Sequence, residues 1–176
     1  MNGLDADTGA DILLFRAEIA QEQDEPRQVL DLLQSSTIPA LNSLDAAYQI
    51  RYHRLRAQAF YSIEAMLSSV LERITLDRLL TESTRQNNHE LIWEALGTLP
   101  LAQLESLVST AINYEVRGWY ELALISRQHT NDLDRQLVEL RSWRTGWSRH
   151  PAALLLPAEM DQVEIMARER PKQIAL

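Results

Sequence analysis

Apolar residues recur at steps of three and four along most of the chain, which is the spacing of a helix with one buried face. Between residues 10 and 20 these positions are Ala10, Leu13, Leu14, Ala17 and Ala20. Thr8 is expected to cap this first helix, and Pro26 suits the first turn of a second one. The pattern therefore predicts a helical hairpin at the start of the chain.

A second hairpin is predicted after a loop from Ser35 to Asn42. Its first helix follows the start signal Ser43-Leu44-Asp45 and carries Tyr48, Tyr52, Leu55, Ala59 and Phe60. Its second helix carries Met66, Leu67, Val70, Leu71 and Ile74. Both sets have helical spacing, so a second helix pair is predicted.

The two hairpins repeat each other in sequence. Leu14-Phe15-Arg16-Ala17-Glu18 aligns with Arg54-Leu55-Arg56-Ala57-Gln58 at an offset of 40 residues, and Val29-Leu30-Asp31 aligns with Val70-Leu71-Glu72 at an offset of 41. A helix pair that recurs at about 40 residues indicates a solenoid of the TPR or HEAT kind. The small residues Ala17 and Ala57 would let two helix backbones approach closely.

The second half of the chain has less regular helical patterns, which begin after a polar break from Thr81 to Asn88. Four stretches are predicted as helices: His89–Leu96, Leu101–Asn113, Gly118–His129 and Leu133–Trp147. Short connections favour antiparallel neighbours. Residues 158–170 fit either a short helix or a loop. The predicted fold class is all-α, with antiparallel helix hairpins stacked as a TPR-like α-solenoid.

This reading divides the chain into four segments. Residues 1–8 are expected to be a flexible N-terminus or a remnant of cloning, and residues 9–80 to form the two TPR-like hairpins. Residues 81–157 are expected to form further hairpins packed on the first, and residues 158–176 a tail that leads to a C-terminal domain absent from this chain. No run of about 18 apolar residues occurs, so no membrane span is predicted.

Charge and composition exclude several classes of function. The net charge is −8 and the chain has a single lysine, so binding to nucleic acid is not expected. There is no cysteine, which excludes disulfides and thiolate chemistry. The four histidines His53, His89, His129 and His150 lack the spacing of a metal site, and no glycine-rich phosphate loop occurs. We therefore expect no cofactor, no metal and no catalytic activity.

Five residues form the predicted partner groove: Arg16, Tyr48, Arg51, Tyr52 and Arg54. They lie on the first helices of the two repeats, which line the concave face in a TPR-like solenoid. The alternative interpretation of the arginines is solvated helix surface. The tryptophans Trp93, Trp119, Trp143 and Trp147 are interpreted as core, with a stacking surface for a peptide as the alternative.

Several spaced segments resemble one known family. They are Arg51-Tyr52-His53-Arg54-Leu55-Arg56-Ala57-Gln58, Gln86-Asn87, Leu91–Leu96, Gly118–Leu122, Trp143, Trp147–Ala152 and the closing Ile174-Ala175-Leu176. Together they resemble the LppC-type penicillin-binding-protein activator lipoproteins. The resemblance implies an N-terminal TPR-like domain, followed in the family by a domain that resembles periplasmic substrate-binding proteins.

The resemblance also implies a function and a location. Members of the family are lipoproteins on the periplasmic face of the outer membrane of Gram-negative bacteria. They stimulate a class A penicillin-binding protein through the C-terminal domain, and they touch the membrane only through a lipid anchor that this chain lacks. We therefore expect a non-enzymatic scaffold domain. The alternatives are a generic TPR-like adaptor that binds a peptide of another periplasmic protein, and a glycan-cleaving enzyme with two carboxylates in one cleft.

Overall fold

The computed structural model describes residues 6–34 and 41–169 of the chain. Within these ranges every regular element is a helix, and two short 3₁₀ segments lie at Leu41–Ser43 and Pro151–Leu154. The α-helices are α1 (Ala6–Glu22), α2 (Pro26–Leu32), α3 (Ala46–Ser62), α4 (Met66–Asp77), α5 (Glu82–Thr98), α6 (Leu101–Thr110), α7 (Tyr114–Arg127), α8 (Leu133–Gly146) and α9 (Leu156–Glu169).

The chain divides into two compact units, residues 1–98 and 99–176. In the first unit α1 packs against α2 and α3, and the contacts continue from α2 to α3, α3 to α4 and α4 to α5. In the second unit α6 packs on α7, α7 on α8 and α8 on α9. Within each unit, helices that follow each other along the chain are thus neighbours, which confirms the predicted all-α fold of stacked hairpins. The expectation that the later hairpins pack on the first stays a prediction.

The two turns that close the first two hairpins have the same backbone geometry. The amide of Glu25 donates to the carbonyl oxygen of Ala20 at 2.9 Å, and the amide of Ala65 donates to that of Phe60, also at 2.9 Å. Asp24 and Glu64, 40 residues apart, are both left-handed, with φ of 58° and 61°. A left-handed residue at the end of a helix lets the next amide donate back to a carbonyl oxygen of the last helical turn, and this arrangement ends many helices. The predicted repeat of 40 residues is therefore confirmed in the turns.

The second helices of the two hairpins also follow the 40-residue offset. Forty residues on from Val29 stands Ser69, and both side chains are completely buried. Val70 is completely buried as well, but the turns decide the register: the Val29 amide donates to Glu25 and the Ser69 amide to Ala65, so the predicted alignment of Val29 with Val70 is shifted by one residue. The Ser69 hydroxyl donates to the carbonyl oxygen of Ala57 at 2.8 Å, so this polar group is satisfied inside the core.

Three sequence expectations about element bounds change. Helix α1 begins at Ala6, so Thr8 lies inside it and does not cap it. The expected polar break from Thr81 to Asn88 is wrong, since α5 begins at Glu82. Residues 156–169 form helix α9, which settles the open choice between helix and loop. The expectations that fall on residues 1–5, 35–40 and 170–176 lie outside the described residues.

Helix α5 belongs to the first compact unit, whereas the sequence division at residue 80 groups it with the later helices. The reason is visible on its inner face. Asn88 and His89 are buried there against α4, and the Asn88 side-chain amide donates to the carbonyl oxygen of Arg73 at 3.0 Å. Polar residues with buried partners therefore continue the helix where the hydrophobic pattern stops.

Each unit has its own hydrophobic core. In the first unit Ala17 and Ala57 are both completely buried, as a close helix approach requires. The larger core side chains of this unit include Leu14, Val29, Leu33, Ile92 and Leu96. Those of the second unit include Leu104, Trp119, Leu122, Leu140 and Leu156.

Candidate functional site

Arg51, a residue of the predicted partner groove, is held by two acidic side chains of α1. Its Nε lies 2.9 Å from Glu18 Oε1 and its Nη2 lies 3.1 Å from Glu18 Oε2, while its Nη1 lies 2.6 Å from Asp11 Oδ1. Hydrogen bonds to Glu18 first, and then to Asp11, raise the pKa of the Arg51 guanidinium above its ordinary value. Arg51 therefore joins α3 to α1 across the repeat.

The tyrosines of the predicted groove belong to the core of the first unit. Tyr52 is only 5% exposed, and its ring meets His53 edge-on at 5.1 Å between centroids. The Arg56 guanidinium lies 5.2 Å from the centre of the Tyr52 ring on the same helix. Tyr48 is half-buried against the same core. The expectation that Tyr52 lines an open groove is therefore wrong.

The remaining two groove residues, Arg16 and Arg54, are exposed but line two different clefts of the first unit. The structure therefore does not bring the five predicted residues together on one open surface. The sequence placed them on the correct helices. It could not show that Arg51 is already paired, because its partner residues lie on another helix.

Arg56 joins three helices of the first unit. Its Nε donates to Glu72 Oε1 at 2.7 Å, and its Nη1 donates to the carbonyl oxygen of Leu33 at the end of α2 at 2.8 Å. His53 Nδ1 lies 2.7 Å from the second oxygen of Glu72. Burial raises the pKa of the Glu72 carboxyl, but the bonds from His53 and Arg56 outweigh this and leave the pKa below its ordinary value. The ionised pair is a structural link between α2, α3 and α4.

A cleft of about 510 Å³ opens between α3, α4 and α5. Its two charged lining residues are Arg54 and Arg73, so we refer to it as the Arg73 cleft. The neutral polar lining residues are Gln58, Ser83, Thr84, Asn87 and Asn88, and the apolar ones are Leu76, Leu80 and Leu91. Sequence reasoning missed this cleft.

Arg73 is a buried cation with no ion pair among the described residues. Its side chain is 7% exposed, and its Nε has no hydrogen-bond partner. Burial lowers the pKa of the guanidinium, and the negative charge of Glu94 acts in the opposite direction. The Glu94 carboxylate itself accepts a hydrogen bond from the Tyr61 hydroxyl at 2.7 Å. Arg73 thus carries a positive charge into the cleft that no neighbouring carboxylate contacts directly.

Asp77 follows Arg73 by one turn of α4, and side chains of α5 bind its carboxylate. Its Oδ1 lies 2.8 Å from His89 Nε2, and its Oδ2 lies 3.6 Å from Arg85 Nε. Asn88 Nδ2 lies 3.4 Å from Asp77 Oδ1 as well as donating to the Arg73 carbonyl. These contacts direct the Asp77 carboxylate toward α5, and Asp77 does not line the cleft.

His150 is at the centre of the aromatic cluster in the second unit. Its ring centroid lies 5.4–6.1 Å from those of four aromatic side chains: Tyr114, Trp119, Trp143 and Trp147. Nδ1 accepts the Ala152 amide at 3.1 Å, so Nε2 carries the proton and donates to the Glu115 carbonyl at 2.7 Å. Trp119 and Trp143 are 1% and 3% exposed. These two tryptophans are therefore core residues.

The described residues offer neither a metal site nor a membrane-spanning helix. No group of three histidine or acidic side chains within it has an arrangement that could hold a metal ion. None of its helices has the length and apolar character needed to cross a membrane.

Comparison with known proteins gives a consistent picture. The family model of the LppC putative lipoproteins matches residues 2–176. The penicillin-binding protein activator LpoA of Edwardsiella ictaluri (strain 93-146) is 29% identical over 164 residues, which cover 93% of this chain and 24% of the relative. LpoA of Vibrio cholerae serotype O1 (strain M66-2) is 23% identical over 163 residues, which cover 93% of this chain and 26% of the relative. The chain spans about a quarter of the length of the curated relatives it matches.

Solved structures show the same fold. The amino-terminal domain of E. coli LpoA superposes with a TM-score of 0.73 at 22% identity, covering 92% of this chain and 70% of that domain. The LpoA N-terminal domain from Haemophilus influenzae gives a TM-score of 0.73 at 23% identity, and the match covers 92% of this chain and 74% of that domain. Since the family model covers nearly the whole sequence, the chain belongs to the LppC putative lipoprotein family.

Proposed function

We propose that this chain is a non-enzymatic scaffold within an outer-membrane lipoprotein that activates a class A penicillin-binding protein in peptidoglycan synthesis. One observation carries the proposal: the family match over residues 2–176, together with relatives named penicillin-binding protein activators. The proposed mechanism is mechanical. The stacked helices act as a stiff arm on the periplasmic face of the outer membrane and hold the synthase-contacting part of the protein at a set distance.

The links between helices support a stiff arm. The double hydrogen bond from Arg51 to Glu18 fixes α3 against α1, and the Arg56–Glu72 pair fixes α3 against α4. Paired planar groups of this kind hold orientation as well as distance. The three-residue connections 23–25 and 63–65 leave little room for hinge motion. The first unit should therefore resist bending.

The existing partners of the Glu72 and Asp77 carboxylates support a non-enzymatic role. Glycoside cleavage requires two carboxyl groups that face one cleft. Glu72 is bound by His53 and Arg56, and Asp77 is bound by residues of α5. None of the described residues that line the Arg73 cleft is acidic. This arrangement gives the glycan-cleaving alternative no support.

A chimeric activator tests the scaffold proposal. This chain would replace the matching N-terminal segment of the Edwardsiella ictaluri activator, in cells that lack their own activator. Peptidoglycan synthesis would then be measured for the chimera, for a version with the segment deleted, and for a version carrying an unrelated helical spacer of equal reach. We expect the chimera and the spacer to restore synthesis and the deletion to fail. Full synthesis by the deletion version would overturn the arm mechanism.

The second candidate function is a TPR-like adaptor that binds a peptide of another periplasmic protein. The observation that favours it is the Arg73 cleft, since a stiff arm has no need of a buried unpaired cation. The same chimera separates the two functions. An adaptor predicts that the chimera works while the unrelated spacer fails.

A further inference from the structure

The charge of the Arg73 cleft is opposite to that of the whole chain. The chain carries a net charge of −8, yet among the described residues the charged side chains that line this cleft are those of Arg54 and Arg73 alone. Arg73 is buried, and a buried guanidinium normally has a carboxylate or phosphate partner. A ligand with a negative charge would provide this partner.

Two buried polar atoms beside the cleft have no hydrogen-bond partner within the described part of the chain. Arg73 Nε is a donor, and Asn88 Oδ1 is an acceptor. The orientation of the Asn88 amide follows from its contacts, because its Nδ2 donates to the Arg73 carbonyl oxygen at 3.0 Å. Buried polar atoms without partners are rare in folded proteins. A ligand that presents both an acceptor and a donor would match this pair.

The rest of the lining narrows the class of ligand. Leu76, Leu80 and Leu91 form an apolar wall, and the amides of Gln58 and Asn87 offer further hydrogen bonds. The volume of about 510 Å³ lies in the range of small-molecule sites. The cleft therefore suits a small ligand with a charged end, an amide-like polar group and an aliphatic part.

We propose that the Arg73 cleft binds the terminal carboxylate of a short peptide, with Arg54 and Arg73 as the cationic partners of the carboxylate. The planar guanidinium pairs with a carboxylate through two parallel hydrogen bonds. The last amide N–H of the peptide donates to Asn88 Oδ1, and a small aliphatic side chain packs on the leucine wall. Inorganic phosphate lacks both the amide donor and the aliphatic part, so it fits the site less well.

The proposal goes beyond the scaffold function, which requires no ligand, and its failure would leave that function untouched. The test uses the purified chain labelled with ¹⁵N. N-acetyl-Ala-Ala with a free carboxylate is titrated and the amide shifts are recorded. We expect shifts concentrated at residues 54–58, 73–80 and 83–91. The C-terminal amide form of the same dipeptide should bind about tenfold more weakly or worse, because it cannot form a charged pair with the arginines.

Three variants sharpen the test. Arg73→Met should abolish binding without lowering the melting temperature, because it removes a buried charge that has no counter-ion. Arg54→Met, at an exposed position, should weaken binding about tenfold. Arg16→Met is the matched control, since it removes an exposed arginine outside the cleft and should leave binding unchanged.

Three results would overturn the proposal. Equal binding of the acid and amide forms would show that the carboxylate is not recognised. Binding of inorganic phosphate as tight as that of the dipeptide would reduce the site to a general anion site. Binding by Arg54→Met as tight as that of the unaltered chain would show that Arg54 does not pair with the carboxylate, against the proposal, and this result can be obtained even if Arg73→Met fails to fold.

Discussion

The imidazole of His150 fills the space in which a side chain at Gly118 would stand. A Cβ atom on Gly118 would lie 2.5 Å from both Cδ2 and Nε2 of His150, a distance that real Cβ contacts essentially never show. The ring cannot easily move away, because Glu115 and Ala152 hold its two nitrogens. The segment after α8 is thus seated directly on the backbone of α7.

Gly118→Ala should destabilise the second unit by about 1–3 kcal/mol, since the added methyl group must displace the ring. Helix propensity alone predicts the opposite sign, because alanine favours a helix over glycine by about 1 kcal/mol. Urea unfolding followed by tryptophan fluorescence would report the change, as Trp119 and Trp143 lie beside His150.

Gly146→Ala is the matched control for this substitution. Gly146 ends α8 in the same unit, and a Cβ added there meets nothing within 4 Å. We expect the free energy of unfolding of Gly146→Ala to stay within about 0.5 kcal/mol of that of the unaltered chain, or to exceed it. If the two variants are equally stable, the close approach of His150 to Gly118 has no energetic consequence.

The helices and the repeat could be predicted because their cause is local. Apolar residues at helical spacing mark α1 to α4, and the 40-residue offset recurs in the turns at Asp24 and Glu64. The family segments Gly118–Leu122 and Trp147–Ala152 were visible in the sequence as well. The structural basis of these two segments was not visible, because the close approach of His150 to Gly118 joins positions far apart along the chain.

The candidate site could not be predicted because it depends on buried polar residues. Hydrophobic periodicity treats Arg73 and Asn88 as surface positions, although both are buried. One signal was present: Arg73 follows Val70 by three residues and so shares the buried face of α4. The ion pairs of Arg51 could not be predicted for a related reason, since nothing local reveals that Glu18 and Asp11 lie opposite it on α1.

Arg56→Met should destabilise the first unit by about 2–4 kcal/mol, because it removes the only cation paired with the partly buried Glu72 carboxylate among the described arginines and leaves the Leu33 carbonyl without its donor. Chemical denaturation followed by circular dichroism would measure the loss. Arg54→Met on the same helix is the control, since Arg54 is exposed and should change stability by less than about 0.5 kcal/mol. Similar losses in both variants would contradict a linking role for Arg56.

Glu72→Gln should lower stability at neutral pH, and the difference from the unaltered chain should shrink in acid. The pKa of Glu72 in the fold lies below its ordinary value of 4.5, so folding favours the ionised form. This contribution is complete above pH 4.5 and is lost as the pH falls through the lower folded value. Free energies of unfolding measured from pH 7 to pH 3 would follow the difference.

Glu22→Gln serves as the control for this pH dependence. Glu22 is an exposed carboxylate at the end of α1, so its substitution should change stability little across the same range. A difference between Glu72→Gln and the unaltered chain that stays constant from pH 7 to pH 3 would show that the Glu72 charge does not contribute to folding.

Tyr120→Phe should protect the second unit against alkaline unfolding. Tyr120 is 2% exposed, and burial raises its pKa to about 12 from an ordinary value of 10.0. Folding thus favours the neutral phenol, and this contribution is complete below pH 10 and is lost as the pH rises through 12. The free energy of unfolding of the unaltered chain should therefore fall by about 1–3 kcal/mol relative to Tyr120→Phe between pH 10 and pH 12. Tyr114→Phe is the control, because Tyr114 is half-exposed in the same helix, and its free energy of unfolding should fall as that of the unaltered chain does. An equal fall between pH 10 and pH 12 in the unaltered chain, Tyr114→Phe and Tyr120→Phe would exclude Tyr120 as the cause.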